Sequence, residues 1–238
     1  LNEAYATLGF EAYRLELSLR PEKRVGSEEM WDQAEIALTE ILDASGVEYT
    51  SESGEGAFYG PKIDIFVPDA IGRDWQLGTV QLDFSLPERF DMEYVSEDGN
   101  RRRPVVIHRA MYGSLERFLG VLIEHLSGAF PLWLAPVQAV VIPIADRHIS
   151  YCEKVAKKLI SGGIRVVVDD SNDRMNAKIR QAQLQKVPYM LVAGDQEIES
   201  NTLAVRTRTG DNIDPVAVDE LTTKFLDRIV NRSSILVF

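Results

Sequence analysis

The chain has 238 residues, 45% hydrophobic and 26% charged, with 16 Gly and 10 Pro, a globular composition that excludes collagen, coiled coil and bulk disorder. Its longest apolar stretch, residues 128–144, is broken by Pro131, Pro136 and Gln138, so no bilayer span of about 18 apolar residues exists, and the single Cys152 forms no internal disulfide, which points to a reducing, cytoplasmic setting. The formal charge of −11 is uneven: residues 1–134 carry 12 Lys and Arg against 24 Asp and Glu, and the remainder 14 against 13, so the acidity belongs to the first half.

Residues 10–19 alternate, with Tyr13, Leu15, Leu17 and Leu19 on one face and Arg14, Glu16 and Ser18 on the other, which predicts a half-buried strand. Ser27 ahead of Glu28 and Glu29, apolar residues from Met30 to Ile41 at helical spacing and then Gly46 predict a capped helix of about four turns. Alternating segments at 57–67, 75–84 and 105–107 lack helical spacers between them, so this half is expected to be α+β with a mainly antiparallel sheet. Leu115, Phe118, Leu119, Leu122 and Ile123 recur every three or four residues and predict a helix from 113 to 128 packed on that sheet.

The proline-rich stretch 128–136 reads as a junction, and the boundary is placed near Ala135, giving domains 1–134 and 135–238. Strands are expected at 137–144, 164–168, 189–193 and 202–206, and helices at 148–160, 173–184 and 215–229. That order predicts an α/β domain with a mixed, mostly parallel sheet.

No Walker loop, Gly-x-Ser-x-Gly, His-Glu-x-x-His or Cys-x-x-Cys pair is present. What remains is polar residues set into apolar strands: Tyr59 and Lys62 around Gly60 and Pro61, then Gln76, Thr79, Gln81 and Asp83, and His108 with Arg109. Thr79 and Gln81 share a parity; Gln76 joins them only if a bulge falls near Leu77 and Gly78. Such a face is either the floor of a polar ligand site or a solvated sheet face. Arg117 follows Ser114 at a helix start, where an anion is favoured, or it pairs with Glu116 or Glu124. His108 reads as a metal ligand or a hydrogen-bonded core residue, His125 and His148 as surface or capping residues, and Cys152 as helix packing.

The segments 20–26 (RPEKRVG), 56–64 (GAFYGPKID), 75–87, 108–117 (HRAMYGSLER), 130–138 and 186–192 (KVPYMLV) resemble the bacterial threonyl-tRNA synthetase family over essentially the whole chain. The resemblance implies part of a class II synthetase catalytic domain followed by an anticodon-binding domain. It implies the ligation of L-threonine to tRNA(Thr) through an adenylate made from ATP, with Mg2+ on the ATP, in a cytoplasmic homodimer. Arg117 and Lys62 become the catalytic residues, and Tyr59, Gln76, Thr79, Gln81 and Ser114 join them in binding substrate and ATP. His108 becomes one of three ligands of a Zn2+ that holds the amino and hydroxyl groups of threonine, a way to reject valine that an apolar pocket lacks. Asn172, Lys178, Arg180, Lys186, Glu197 and Arg206 become anticodon-binding, with Lys186 where the family can carry Arg. The first two class motifs and two zinc ligands lie upstream in the family. With Leu1 rather than Met at its start, the chain is expected to be a segment that is inactive alone; the alternative is a truncated relative that binds tRNA without catalysis.

Overall fold

A computed structural model describes residues 1–10 and 12–237, which form two compact units divided between His125 and Leu126. In the first unit, α1 (Asn2–Thr7) precedes β1 (Arg14–Ser18), α2 (Glu28–Ser45), β2 (Tyr49–Glu52), β3 (Lys62–Pro68) and β4 (Asp74–Asp83). There follow α3 (Ser85–Arg89), a two-stranded ribbon β5 (Tyr94–Val95) and β6 (Arg101–Arg102), β7 (Val106–Ala110) and α4 (Leu115–His125). The main sheet has the order β2-β1-β3-β4-β7. Its β1–β3, β3–β4 and β4–β7 ladders are antiparallel, as expected, while β1 and β2 are parallel, joined by a crossover through α2.

The capped helix forms as its sequence dictates. The Ser27 hydroxyl accepts the Met30 N–H at 3.3 Å, Gly46 closes the helix at φ +67°, and Trp31, Ala34, Leu38 and Leu42 are buried at spacings of three and four. At 18 residues it has five turns rather than four. The indole N–H of Trp31 donates to the Val25 carbonyl at 2.8 Å, which satisfies the one polar atom of the largest buried side chain. In α4 the inward stripe is Phe118, Val121 and Leu122, whereas Leu115, Leu119 and Ile123, read from the sequence as core, are exposed.

The second unit carries β8 (Ala139–Pro143), a short 3-10 turn (Asp146–His148), α5 (Ile149–Ser161), β9 (Val166–Val168), α6 (Met175–Leu184) and β10 (Tyr189–Ala193). It ends with α7 (Asp195–Ser200), β11 (Thr202–Thr207), β12 (Asn212–Ala217) and α8 (Val218–Val230). The sheet order is β12-β11-β10-β8-β9; β8 pairs in parallel with both β9 and β10, and the β10–β11 and β11–β12 ladders are antiparallel. The mixed sheet is thus divided evenly between the two senses. Every residue of β8 and β10 is buried, because Ala139, Val141, Tyr189 and Leu191 join the core that includes residues of α5 and α8, and Val140, Ile142, Met190 and Val192 join a second core with Ile179 and Ala182 of α6.

The last helix and the junction between the units also differ from what the sequence predicts. Pro215 lies in β12, and the last helix starts at Val218; β12 is an edge strand, where a missing N–H costs no ladder bond. The junction near Ala135 moves to 125/126, because residues 129–138 are bonded into the second unit. Leu132 is fully buried in its core, Arg208 donates to the carbonyls of Ala129 and Phe130, Arg165 donates to those of Trp133 and Ala135, and Gln138 donates to that of Leu132. Among the described residues no helix is long and apolar enough to cross a membrane.

Candidate functional site

One face of the first sheet is polar by register. Lys62 stands opposite Ser18 on one side and Gln81 on the other, and Gln81 stands opposite His108. The next row sets Glu16, Asp64, Thr79 and Ala110 side by side. Directly opposed residues share a face, so these form one surface. The register shifts between Ile65 and Phe66: Ile65 pairs with Gly78 and Phe66 with Gln76, leaving Leu77 as the extra residue. This is the bulge that brings Gln76 onto the polar face, where its Nε2 donates to Asp64 Oδ1 at 2.5 Å.

Tyr59 is carried over this floor by a segment that lies directly on β4. A Cβ on Gly60 would collide with the Leu82 carbonyl oxygen, and the flanking backbone bonds run from Leu82 N–H to Pro61 O (3.1 Å) and from Phe84 N–H to Tyr59 O (3.2 Å). The phenol then donates to Gln81 Oε1 at 3.2 Å. Lys62 Nζ pairs with the buried Asp64 carboxylate. The Thr79 hydroxyl oxygen is buried with no partner among the described residues, an orphan that a bound group would satisfy.

His108 Nε2 lies 2.8 Å from Asp83 Oδ2. Burial pushes the Asp83 carboxyl up, and the bonds it receives from His108 and from the Leu86 and Ser85 N–H groups more than offset this, holding it below the usual carboxylate range. As a carboxylate can only accept, Nε2 donates to it, and Nδ1 is the ring nitrogen that Asp83 leaves unengaged. No group of three or more His, Cys, Asp or Glu among the described residues could hold a metal ion. The residues present therefore do not make a zinc site by themselves.

Gly113, at φ +58° and tight against the Leu77 carbonyl, turns the chain from β7 into α4. Arg117, one turn into α4, is exposed and makes no ion pair with Glu116 or Glu124. Glu116 instead accepts the Ser114 hydroxyl at 2.7 Å. One guanidinium N–H of Arg117 reaches the Gln76 carbonyl at 3.2 Å, and its carbon lies 5.9 Å from the centre of the Trp75 ring. A cavity of about 380 Å3 opens there, lined by Trp75, Arg117, Gly120, Val121 and Glu124.

In the second unit, Asn172 and Lys178 line a cavity of about 340 Å3 at the carboxyl ends of β8 and β9, with Ala145, Asp146 and Arg174. In open α/β sheets ligands bind outside the carboxyl ends of the parallel strands. Lys178 is buried, and its Nζ donates to the Asp169 carbonyl at 2.8 Å, so it fixes the loop that presents Asn172 instead of reaching outward. Glu197 accepts the Gly194 N–H at 2.9 Å. Arg180 and Lys186 are exposed on α6 and just beyond it, and Arg206 stands on β11 opposite Met190, its Nε buried and without a partner. None of these four lines the cavity with Asn172.

The tie between the two loops at this end has no signal in the sequence, because its partners lie 47 and 48 residues apart. Asp195 accepts from Arg147 (2.5 and 3.0 Å) and from buried His148 (2.9 Å), and those bonds hold its carboxyl well below the usual range. His148 Nδ1 in turn accepts the Ala145 N–H, the capping role expected of it. His125 Nε2 lies 2.9 Å from the Gly9 carbonyl. Cys152 is buried on α5, its thiol pushed up to about 11 by burial, which leaves it inert packing.

Residues 1–126 match the family described as tRNA synthetase class II core domain (G, H, P, S and T). The chain belongs to that family. Residues 138–228 match the anticodon binding domain family. Threonine–tRNA ligase of Sulfurihydrogenibium sp. is 51% identical over 98% of this chain and 36% of its own length; that of Natranaerobius thermophilus is 55% identical over 91% and 34%. The chain thus spans about a third of the length of these relatives. A crystal structure of the RNA binding domain of threonyl-tRNA synthetase from Cryptosporidium parvum is similar at a TM-score of 0.90 and 42% identity, over 95% of this chain and 57% of that one.

Proposed function

We propose that this chain is the C-terminal part of a threonine–tRNA ligase, supplying the adenylate floor and the anticodon reader. The observation that carries the reading is the row Lys62, Gln81 and His108 with Tyr59 above it, on a chain half identical to threonine–tRNA ligases over nearly all its length. In the first step a threonine carboxylate oxygen bonds to the α-phosphorus of ATP while the bond to the bridging oxygen breaks, and pyrophosphate leaves with the electron pair. A hydroxyl of the terminal adenosine of tRNA(Thr) then attacks the carbonyl carbon, its proton passes to solvent, and AMP leaves with the electron pair of the bond that breaks. Lys62 and Arg117 donate to the phosphate oxygens as charge shifts onto them, with Mg2+ travelling on ATP. Gln76, Thr79, Gln81 and Ser114 orient the substrates. His108 Nδ1 would give zinc one ligand, with the other two expected from the remainder of the ligase, and no step is assigned to that ion. Homodimer assembly and a cytoplasmic setting belong to the same reading.

Asn172, Arg180, Lys186, Glu197 and Arg206 contact the anticodon loop under this proposal, since unstacked loop bases are read by hydrogen bonds and stacking. Lys178 supports Asn172 from beneath. A second reading, a tRNA-binding chain without catalysis, draws on the match of residues 138–228 to the anticodon binding domain family. Threonine-dependent exchange of pyrophosphate into ATP by the full-length protein separates the two. Exchange that falls at least about 100-fold in Arg117→Ala supports the ligase; no exchange in the parent protein, with the chain still retaining the anticodon stem-loop, supports the second reading.

A further inference from the structure

The Asp64 side chain is buried (2% exposed) at the centre of the polar face, yet it carries more bonds than any ligand-facing residue there. Oδ1 accepts the Gln76 amide at 2.5 Å, and Oδ2 accepts both Lys62 Nζ and the Ser18 hydroxyl, the latter at 3.3 Å. A carboxylate only accepts, so the Gln76 amide has one permitted orientation: its NH2 turns inward and its carbonyl Oε1 is left for a ligand. Lys62 spends one N–H on Asp64 and keeps two. Covered by these three donors, Asp64 has no surface left to offer a substrate.

We infer that Asp64 is a positioning residue that sets the polarity of the floor, making Gln76 a hydrogen-bond acceptor and Lys62 a donor, for a ligand that brings an amine or hydroxyl to the first and an anionic or carbonyl oxygen to the second. The inference rests on the proposed ligase reading. An aminoacyl adenylate has both kinds of group, and its amine can come from the amino acid or from adenine.

The test exchanges the two partners in the full-length enzyme. Asp64→Asn turns an NH2 toward Gln76, so Gln76 must present NH2 outward; Gln76→Glu sets two carboxylates face to face. Each single variant is expected to raise a KM in threonine-dependent pyrophosphate exchange at least about tenfold. The double variant Asp64→Asn/Gln76→Glu restores an inward donor–acceptor pair with an acceptor outward, and is expected to recover to within about threefold of the parent. A rise confined to the KM for ATP assigns the amine to adenine, and a rise confined to that for threonine assigns it to the amino acid. A double variant no better than the poorer single one, or a single variant that behaves as the parent, overturns the inference. Should Asp64→Asn fail to fold, recovery of Gln76→Glu by the added Asp64→Asn decides alone. Absence of exchange in the parent enzyme counts against the ligase reading instead.

Discussion

Asp69 shows how a single carboxylate in a turn reaches the site. Burial pushes its carboxyl up, but bonds from the Trp75 indole, the Arg73 and Ile71 N–H groups and the Arg73 side chain hold it well below the usual range. The same indole lies beside the Arg117 guanidinium, so Asp69 fixes the wall of that cavity. A depressed folded value means the stabilisation is fully present above the unfolded value of about 3.9 and is lost as pH falls through the folded one. Asp69→Asn is therefore expected to unfold at lower denaturant than the parent at pH 7, with the gap closing below about pH 4. A gap that stays constant from pH 7 to pH 3 would show that the charge is not what Asp69 contributes. Thr79 and Gln81 were legible in the sequence as strand residues of one parity, and Lys62 and His108 as polar residues beside apolar strands, but the register that sets Lys62, Gln81 and His108 in one row was not, nor was the burial of Asp64 and Asp69, which depends on partners distant in sequence.

Elements with long periodic patterns were readable: α2 from its cap and stripe, and β10 from its run of apolar residues. Others lacked the signal. β2 reads Tyr-Thr-Ser-Glu with three exposed residues, α3 and α7 span five and six residues, and Pro215 imitated a helix start while serving an edge strand. The bulge at Leu77 was legible only as a condition for Gln76 to join Thr79 and Gln81, and the register meets it. Leu38→Ala empties a buried position on α2 and is expected to cost about 2–5 kcal/mol in denaturant unfolding; a cost under about 1 kcal/mol would mean that this face of α2 is not buried in the folded protein. Gly60→Ala forces the Tyr59 segment off β4, so exchange activity is expected to fall while the anticodon-loop binding proposed for the second unit is unchanged. Loss of both activities would point to general misfolding.

At the scale of the whole molecule, the even charge balance of the second half fits a reader of a few bases more than a broad phosphate-binding surface. Asn172→Ala is accordingly expected to weaken binding of the tRNA(Thr) anticodon stem-loop about tenfold with little change in its salt dependence, as measured by titration of the whole chain. An equal loss toward a scrambled loop would remove Asn172 from base reading. The family of the first unit spans enzymes for five amino acids, so what the proposed function adds to the family is the choice of threonine. It is tested most directly by pyrophosphate exchange in the full-length protein with glycine, histidine, proline, serine and threonine in turn. Exchange is expected with threonine far above the other four, and to be lost in His108→Ala. Exchange driven best by another of the five, or by none, would contradict it.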